Sequence, residues 1–170
     1  MMSVDILRTL VGYKAWGNKG LFTTLLSHPK IESIKDTKSI VSTLNHAYVV
    51  DLIFQAHLTG TTHKFSGVNT VEQPSVQDLW NNVQTTDQWY INYVDSVTVS
   101  SLSDRVNFKF TSGEEATMLR SEMILHVVNH GTYHRGNVGV LLLQNGINPD
   151  KDVVTDFLSN RNIQSHFISQ

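Results

Sequence analysis

Apolar side chains recur every three or four positions in four long segments of this 170-residue chain. That spacing places them along one face of an α-helix, because an α-helix has about 3.6 residues per turn. In the third segment, for example, Leu79, Val83, Tyr90 and Val94 are separated by four or seven positions, which is one or two turns. The pattern predicts four long helices, which cover about residues 4–27, 36–58, 75–99 and 121–145.

Residues that cap or break helices stand between these segments. Gly60 and Gly146 follow the second and fourth segments, where a glycine commonly ends a helix. Ser75, with Asp78 three residues later, has the spacing of a helix N-terminal capping box. The prolines also fall between periodic segments, at Pro29, Pro74 and Pro149.

Before the fourth helix, apolar residues recur at every second position instead of every third or fourth. Val106, Phe108 and Phe110 alternate with polar residues, Gly113 supplies a turn, and residues 115–119 can return as a second strand. A short helix is predicted over 153–158. The chain is therefore expected to be all-α, a single domain over residues 1–170 that forms a four-helix bundle with a small β-hairpin before the fourth long helix.

Composition excludes several kinds of chemistry. The chain contains no cysteine, which excludes disulfides, thiolate metal sites and cysteine nucleophiles. Its formal charge is −2 and its basic residues are scattered, so nucleic acid is not an expected partner. The sequence has no apolar run long enough for a membrane span and no recognisable signal peptide, so we expect a cytoplasmic protein without membrane contact.

Histidine is the over-represented residue type, with eight in the chain. His126, His130 and His134 follow one another at four-residue intervals in the fourth helix, so they lie on one face about one turn apart. Two imidazoles in that arrangement can reach one metal ion at about 2.0–2.1 Å. Spacing alone does not decide between the pair 126/130 and the pair 130/134, and a polar helix face without metal is the alternative.

A two-histidine pair does not complete a metal site, because zinc-type catalytic sites take three protein ligands and leave a further position open. His46 is a candidate for the third ligand, since it lies among apolar residues in the middle of the second helix. The alternative is a histidine that is buried for packing alone.

Four motifs identify the chain as similar to the DinB/YfiT superfamily, in its DinB branch. The most specific is HVVNHGTYHRG at 126–136, which resembles H-x-x-N-H-x-T-x-H-R-G-Q, although Asn137 stands where the motif commonly carries glutamine. The other three are YKAWGN at 13–18, which resembles Y-x-x-W-x-N, LNHAYVVD at 44–51, which resembles L-x-H-x-x-x-x-D, and the acidic-hydrophobic DFL at 156–158.

This resemblance implies an up-down-down-up bundle, a homodimer, and a metal triad of His46, His130 and His134. It leaves His126 without a ligand role. Zinc and nickel are the favoured ions, with iron and copper open, because imidazole suits all four. Asn129, Tyr133 and Arg135 flank the ligands and can either orient them or serve packing alone.

For activity, the resemblance implies a metal-dependent transferase that activates a low-molecular-weight thiol, as co-substrate, for attack on an electrophile. Two alternatives stay open. One is a non-enzymatic metal-binding stress protein, of the kind induced by DNA damage. The other is a metal-dependent hydrolase. The sequence names neither the thiol nor the electrophile, and it identifies no catalytic residue.

Overall fold

Four long helices and one hairpin form the computed structural model, which describes residues 4–28 and 31–160. The helices are α1 (Val4–Ser27), α2 (Thr37–Thr59), α3 (Val76–Ser96) and α4 (Arg120–Gln144). Between α3 and α4, strands β1 (Arg105–Lys109) and β2 (Glu115–Leu119) pair antiparallel. Residues 154–160 are helical as well. The predicted all-α bundle with a hairpin before the fourth long helix is confirmed, and no helix in the described ranges is long and apolar enough to cross a membrane.

Helix α3 is the one long helix whose end differs from the prediction by more than one residue. It stops at Ser96, and Val97 already has an extended backbone (φ −87°, ψ 147°). Thr98 and Ser101 then bond reciprocally, because each side-chain oxygen accepts from the other residue's backbone N–H. Such local side-chain bonds compete with helix continuation, which explains the early end.

The predicted caps lie where the sequence places them. Ser75 Oγ accepts a hydrogen bond of 3.0 Å from the backbone N–H of Asp78 at the start of α3. Gly60 ends α2 with φ of 69°, and Gly146 follows α4 with φ of 74°, a left-handed conformation that glycine adopts at little cost. Pro29 lies outside the described residues.

Helix α1 packs against α3 and α4, and α2 packs against the same two helices. Early α1 meets late α3 at the ion pair of Arg8 with Asp95, and late α1 meets early α3 where Phe22 stacks on Trp80. Helices α1 and α3 are therefore antiparallel.

Helix α4 runs parallel to α1 and antiparallel to α2. Four contacts establish these directions: Lys14 with Gly131, Asn18 with Arg135, His46 with His130, and Phe54 with His126. It follows that α2 and α3 are parallel and that the order is up-down-down-up. Each of the pairs α1–α2 and α3–α4 is then diagonal across the bundle.

The connection between the two parallel helices has to return along the bundle. Residues 60–75 do so beside α2, where they are fixed by side-chain amides that donate to helix carbonyls. Asn69 Nδ2 donates to the carbonyl of Ser42 (2.9 Å), and Gln73 Nε2 donates to the carbonyl of Lys38 (2.7 Å). Residues 60–75, the crossover, therefore cover one side of α2 and line any cleft that opens there.

Two apolar clusters fill the interior, one toward each end of the bundle, and burial of each large aliphatic side chain contributes about 1.5–3 kcal/mol. The first contains Leu7, Val11, Phe54, Leu58, Tyr90, Val94, Met123 and Val127 among others. The second contains Leu21, Phe22, Leu25, Ile40, Leu44, Leu79, Val138 and Leu142 among others.

A buried polar layer separates the two clusters. Lys14 Nζ lies 2.7 Å from Asp51 Oδ2 and 2.6 Å from Asp87 Oδ1, and it is only 2% exposed. Asn18 donates to the second oxygen of Asp87 (2.8 Å), and Arg135 donates to Asn18 Oδ1 (3.2 Å). The layer thus joins all four long helices through charged hydrogen bonds, which are stronger than neutral ones.

The segment after α4 is held against the bundle by the same arginine. Arg135 Nε donates to Asp152 Oδ2 at 2.6 Å, and the Asp152 carbonyl accepts from the Tyr13 hydroxyl at 3.1 Å. The Phe157 ring lies 6.1 Å from that of Tyr13 and 6.0 Å from that of Trp16. The closing DFL motif therefore packs on the YKAWGN motif of α1.

Two glycine substitutions are expected to change stability in opposite directions. In Gly17→Ala the new methyl group would lie 2.8 Å from Asp152 Oδ1 and 2.9 Å from Arg135 Nε, so it disrupts that pair and should cost about 1–3 kcal/mol. In Gly136→Ala the methyl group meets nothing within 4 Å, and helix propensity should add about 0.5–1 kcal/mol. Urea unfolding of both variants beside the parent measures the two shifts, and equal signs would contradict the packing described.

Candidate metal centre

The antiparallel packing of α2 on α4 brings three histidines together at the level of the polar layer. His46 Nε2 lies 3.2 Å from His130 Nε2, and His134 Nε2 lies 3.0 Å from the same atom. All three ligand atoms fall within 4.8 Å of one another, and each of the three side chains is half-buried. His130 is therefore the central member of the group.

These separations suit one shared ion. Two nitrogens that are each about 2.0–2.1 Å from a tetrahedral metal lie about 3.3–3.4 Å apart, close to the two distances seen here. Three imidazoles without a carboxylate form a donor set that suits zinc, nickel, iron or copper better than magnesium or calcium. The residues present fit a divalent transition-metal ion.

A backbone carbonyl of the crossover orients the first of these rings. The distance from His46 Nδ1 to the Val68 carbonyl oxygen is 3.0 Å, so Nδ1 carries the proton and donates it. Nε2 is then unprotonated and faces the other two rings, as in metal sites where a carbonyl fixes the tautomer of a ligand. The Nδ1 atoms of His130 and His134 are buried and have no hydrogen-bond partner among the described residues.

The surroundings keep the rings on α4 uncharged. Burial and, after it, the neighbouring His134 lower the pKa of His130 to about 3. Burial and then His46 lower the pKa of His134. Metal ligation requires neutral imidazole, so these two histidines are in the form that could bind a metal ion at neutral pH.

In the metal-free protein, the contribution of His130 to the free energy of unfolding should rise as pH is raised from about 3 to about 6.5, whereas that of the buried Asp51 should fall over part of this range. His130 stays uncharged over that range in the folded state, whereas the unfolded chain binds its proton with the ordinary pKa of about 6.5. One such proton adds at most about 1.4 kcal/mol per pH unit to the slope. Urea unfolding in a chelating buffer measures the pH slope of the free energy of unfolding, which should be less positive for His130→Asn than for the parent. An unchanged slope would show that His130 titrates normally.

His126, the third histidine of the stripe, stands outside the group. Its ring stacks on His130 at 5.3 Å (25° between planes) and on Phe54 at 4.5 Å (28°). Glu122, one turn earlier, is used for capping, because its carboxylate accepts from the backbone N–H of Leu119 at 2.7 Å. The structure thus joins His46 to the pair 130/134 and not to the pair 126/130, which spacing alone had left open.

The residues that flank the histidines of this group on α4 have different surroundings. Asn129 is exposed. Tyr133 is 67% exposed, with its ring edge-on to His134 at 5.1 Å. Arg135 is 3% exposed and belongs to the polar layer. Of the three, only Arg135 connects the turn that carries His130 and His134 to the interior.

A polar cleft of about 620 Å³ opens beside the histidines. His46 and His134 line it together with residues of α2 and of the crossover, none of which is acidic: Lys38, Ser39, Ser42, Thr43, Asn69 and Gln73. A larger cavity of about 730 Å³ lies between α1, α4 and the segment after α4, but it includes none of the three histidines. The polar cleft is therefore the cavity that bears on the metal centre.

Sequence reasoning did not identify the Val68 carbonyl or the cleft residues of the crossover. The backbone carbonyl has no signature in a sequence, and residues 60–75 show no periodicity that would place them. A partial signal does exist on α2, because Lys38, Ser42 and His46 recur every four residues on one face.

Comparison with known proteins gives two matches. A family model described as the DinB family matches residues 2–165. The chain is also 27% identical, over 153 residues, to Protein DinB of Bacillus subtilis (strain 168). That alignment covers 84% of this chain and 87% of the relative.

Proposed function

The chain belongs to the DinB family, and we propose that it binds one divalent metal ion through His46, His130 and His134 as a transferase that activates a low-molecular-weight thiol for attack on an electrophile. The observation that carries the proposal is the convergence of three imidazole nitrogens at the edge of an open cleft. A fully enclosed histidine cluster would instead favour a structural ion.

The ligand count supports an open coordination position. Across the residues that the structure describes, the group of possible ligands holds three histidines and no nearby carboxylate. Catalytic zinc sites characteristically have three protein ligands and leave a fourth position for substrate or water. Because His46 and His134 both line the cleft, a molecule in the cleft can reach that position.

A divalent ion in such a site lowers the pKa of a thiol or water molecule bound to it. The protein itself keeps the three imidazoles in the form that can bind the ion. Val68 holds the His46 ring in the binding tautomer, and burial keeps His130 and His134 uncharged. The same site would also serve a hydrolase with water in place of the thiol, so the experiment has to separate the two reactions.

The test begins with metal analysis of the protein as purified. The loaded protein is then incubated with a panel of small thiols and two general electrophiles, monobromobimane and 1-chloro-2,4-dinitrobenzene. In these reactions a carbon–sulfur bond forms, halide leaves, and the thiol proton passes to the buffer. We expect conjugation above the uncatalysed rate, which is lost in the metal-free parent and in His46→Ala.

Hydrolysis of activated esters, assayed on the same samples, examines the hydrolase alternative. Loaded protein that hydrolyses esters but conjugates no thiol would replace the transferase proposal with that alternative. Loaded protein that does neither would favour the metal-binding stress protein. Protein that takes up no divalent ion would contradict all three.

A further inference from the structure

We propose that the polar cleft binds an elongated organic anion, with its metal-binding atom at the three histidines and a carboxylate or phosphate group held by Lys38 and Ser42. The inference rests on the metal-binding part of the proposed function and adds the chemical class of the ligand. It is carried by the arrangement of side chains along α2 and by the charges around the cleft.

Three cleft residues lie on one stripe of α2. Lys38, Ser42 and His46 are four residues apart, so they face the same side of the helix at steps of about 6 Å along its axis. Lys38 is consequently about 12 Å along the axis from His46, and its long side chain can cover part of that distance. A ligand that uses both ends of the stripe must be longer than one helical turn.

The crossover, residues 60–75, forms the opposite wall of the cleft and is hydrogen-bonded to Ser42 and Lys38. Asn69 and Gln73 use one amide hydrogen each on the carbonyls of Ser42 and Lys38. An amide nitrogen carries two hydrogens, so each side chain retains a donor that can point into the cleft. The crossover thereby adds neutral donors to the cation and hydroxyl of α2.

The charges select for an anion. Among the described residues, Lys38 forms no ion pair and no aspartate or glutamate lines the cleft. The Ser42 hydroxyl likewise has no hydrogen-bond partner within the described part of the chain. A divalent ion at the histidines would add further positive charge. A cationic ligand would be repelled from both ends of the cleft, whereas an anionic one gains a charge-assisted hydrogen bond.

The test uses cobalt(II)-loaded protein and follows the absorption band that appears when a thiolate binds cobalt. Three thiols share a six-carbon chain and differ in the terminal group: 6-mercaptohexanoate, 6-mercapto-1-hexanol and 6-amino-1-hexanethiol. We expect 6-mercaptohexanoate to bind at least about fivefold more tightly than the alcohol, and the amine to bind most weakly. The shorter 3-mercaptopropionate should lose most of the advantage, because it cannot reach Lys38.

Substitutions test whether Lys38 causes the preference for the anionic thiol. Lys38→Gln should reduce the preference for 6-mercaptohexanoate over the alcohol to less than about twofold and leave binding of the alcohol unchanged. Lys38 is exposed, and the carbonyl that Gln73 uses remains, so the fold should be kept. Lys64→Gln is the matched control, since it removes an exposed lysine outside the cleft. Acetate and inorganic phosphate, added as competitors at constant ionic strength, show which oxyanion the subsite prefers.

The outcomes separate this inference from the proposal beneath it. Protein that takes up no cobalt overturns the proposed metal site and this inference with it. Protein that takes up cobalt but binds the three six-carbon thiols equally overturns the inference alone. The same holds if Lys38→Gln and Lys64→Gln have equal effects on the preference.

Discussion

Replacing His130 by alanine is expected to weaken binding of a divalent ion by at least about 100-fold while the bundle stays folded. His130 is the central member of the histidine group, with its Nε2 3.2 Å from that of His46 and 3.0 Å from that of His134. Loss of a residue that only supports a metal ligand already costs about 10–100-fold in affinity, so loss of a ligand should cost more. The two apolar clusters on either side of the polar layer are unaffected by the change.

His126→Ala is the matched control for this prediction. It removes a histidine from the same helix, one turn earlier, whose ring stacks on His130 without joining the ligand group. Metal content after dialysis and competition with a chelator of known affinity measure binding, and circular dichroism measures the fold. If His130→Ala retains the parent's affinity, the triad is not the metal site. If His126→Ala loses as much as His130→Ala, the stacked ring contributes as a ligand would.

The largest effect on stability is expected for Lys14→Met, which should cost about 3–5 kcal/mol. Lys14 lies between Asp51 and Asp87, and none of the three side chains is more than 6% exposed. Methionine approximates the volume of the lysine stem but leaves two carboxylates in the interior without their cation. Burial already raises the pKa of Asp51 to about 6, so protonation can relieve part of the cost, and the loss should be smaller at pH 5 than at pH 8.

An exposed ion pair between α1 and α3 serves as the comparison for the buried pair of Lys14 and Asp87, which joins the same helices. Arg8 and Asp95 also join α1 to α3, with nitrogen and oxygen 2.7 Å apart, but both are about half exposed. Arg8→Met should therefore cost no more than about 1 kcal/mol. Urea unfolding of the two variants gives both values. Equal losses would mean that burial does not distinguish the two pairs.

Adding Asp51→Asn and Asp87→Asn to Lys14→Met should recover part of the stability, because the remaining groups are uncharged. This triple variant distinguishes unpaired charge from loss of packing. If it is no more stable than Lys14→Met, the cost of the single substitution lies in the shape of the side chain and not in the carboxylates left behind.

The sequence alone was sufficient to predict the helices and the hairpin, and part of the candidate metal centre. Helix periodicity, capping residues and glycines are local signals, so α1, α2 and α4 were predicted to within one residue at each end. The pair His130 and His134 is also local, since both residues occupy one helix face. His46 lies 84 residues away from His130. Its position among apolar residues made it only a candidate for the third ligand, and the resemblance to a known family then selected it together with the pair 130/134.

The polar layer was beyond local reasoning. Lys14 and Asn18 are spaced like residues of a solvated helix face, and Asp51 offered no sign of its partner. Their bonds join residues up to 117 positions apart, and such pairings depend on how the helices are arranged around the bundle. Once that arrangement is known, the charges explain one another, because a buried cation and its carboxylates are stable only together.

The up-down-down-up order also bears on how the chain folds. Because α1–α2 and α3–α4 are diagonal and α2–α3 are parallel, no two consecutive long helices can form a hairpin as an early, self-contained intermediate. The first stable helix pairs must instead join distant parts of the chain, as Lys14 and Asp87 do across 73 positions. Contacts between such distant residues give the protein a high contact order for a helical fold. The entropy cost of closing these long loops therefore opposes folding before apolar burial compensates for it. Refolding should accordingly be slower than in a bundle of equal length whose neighbouring helices pack as sequential hairpins.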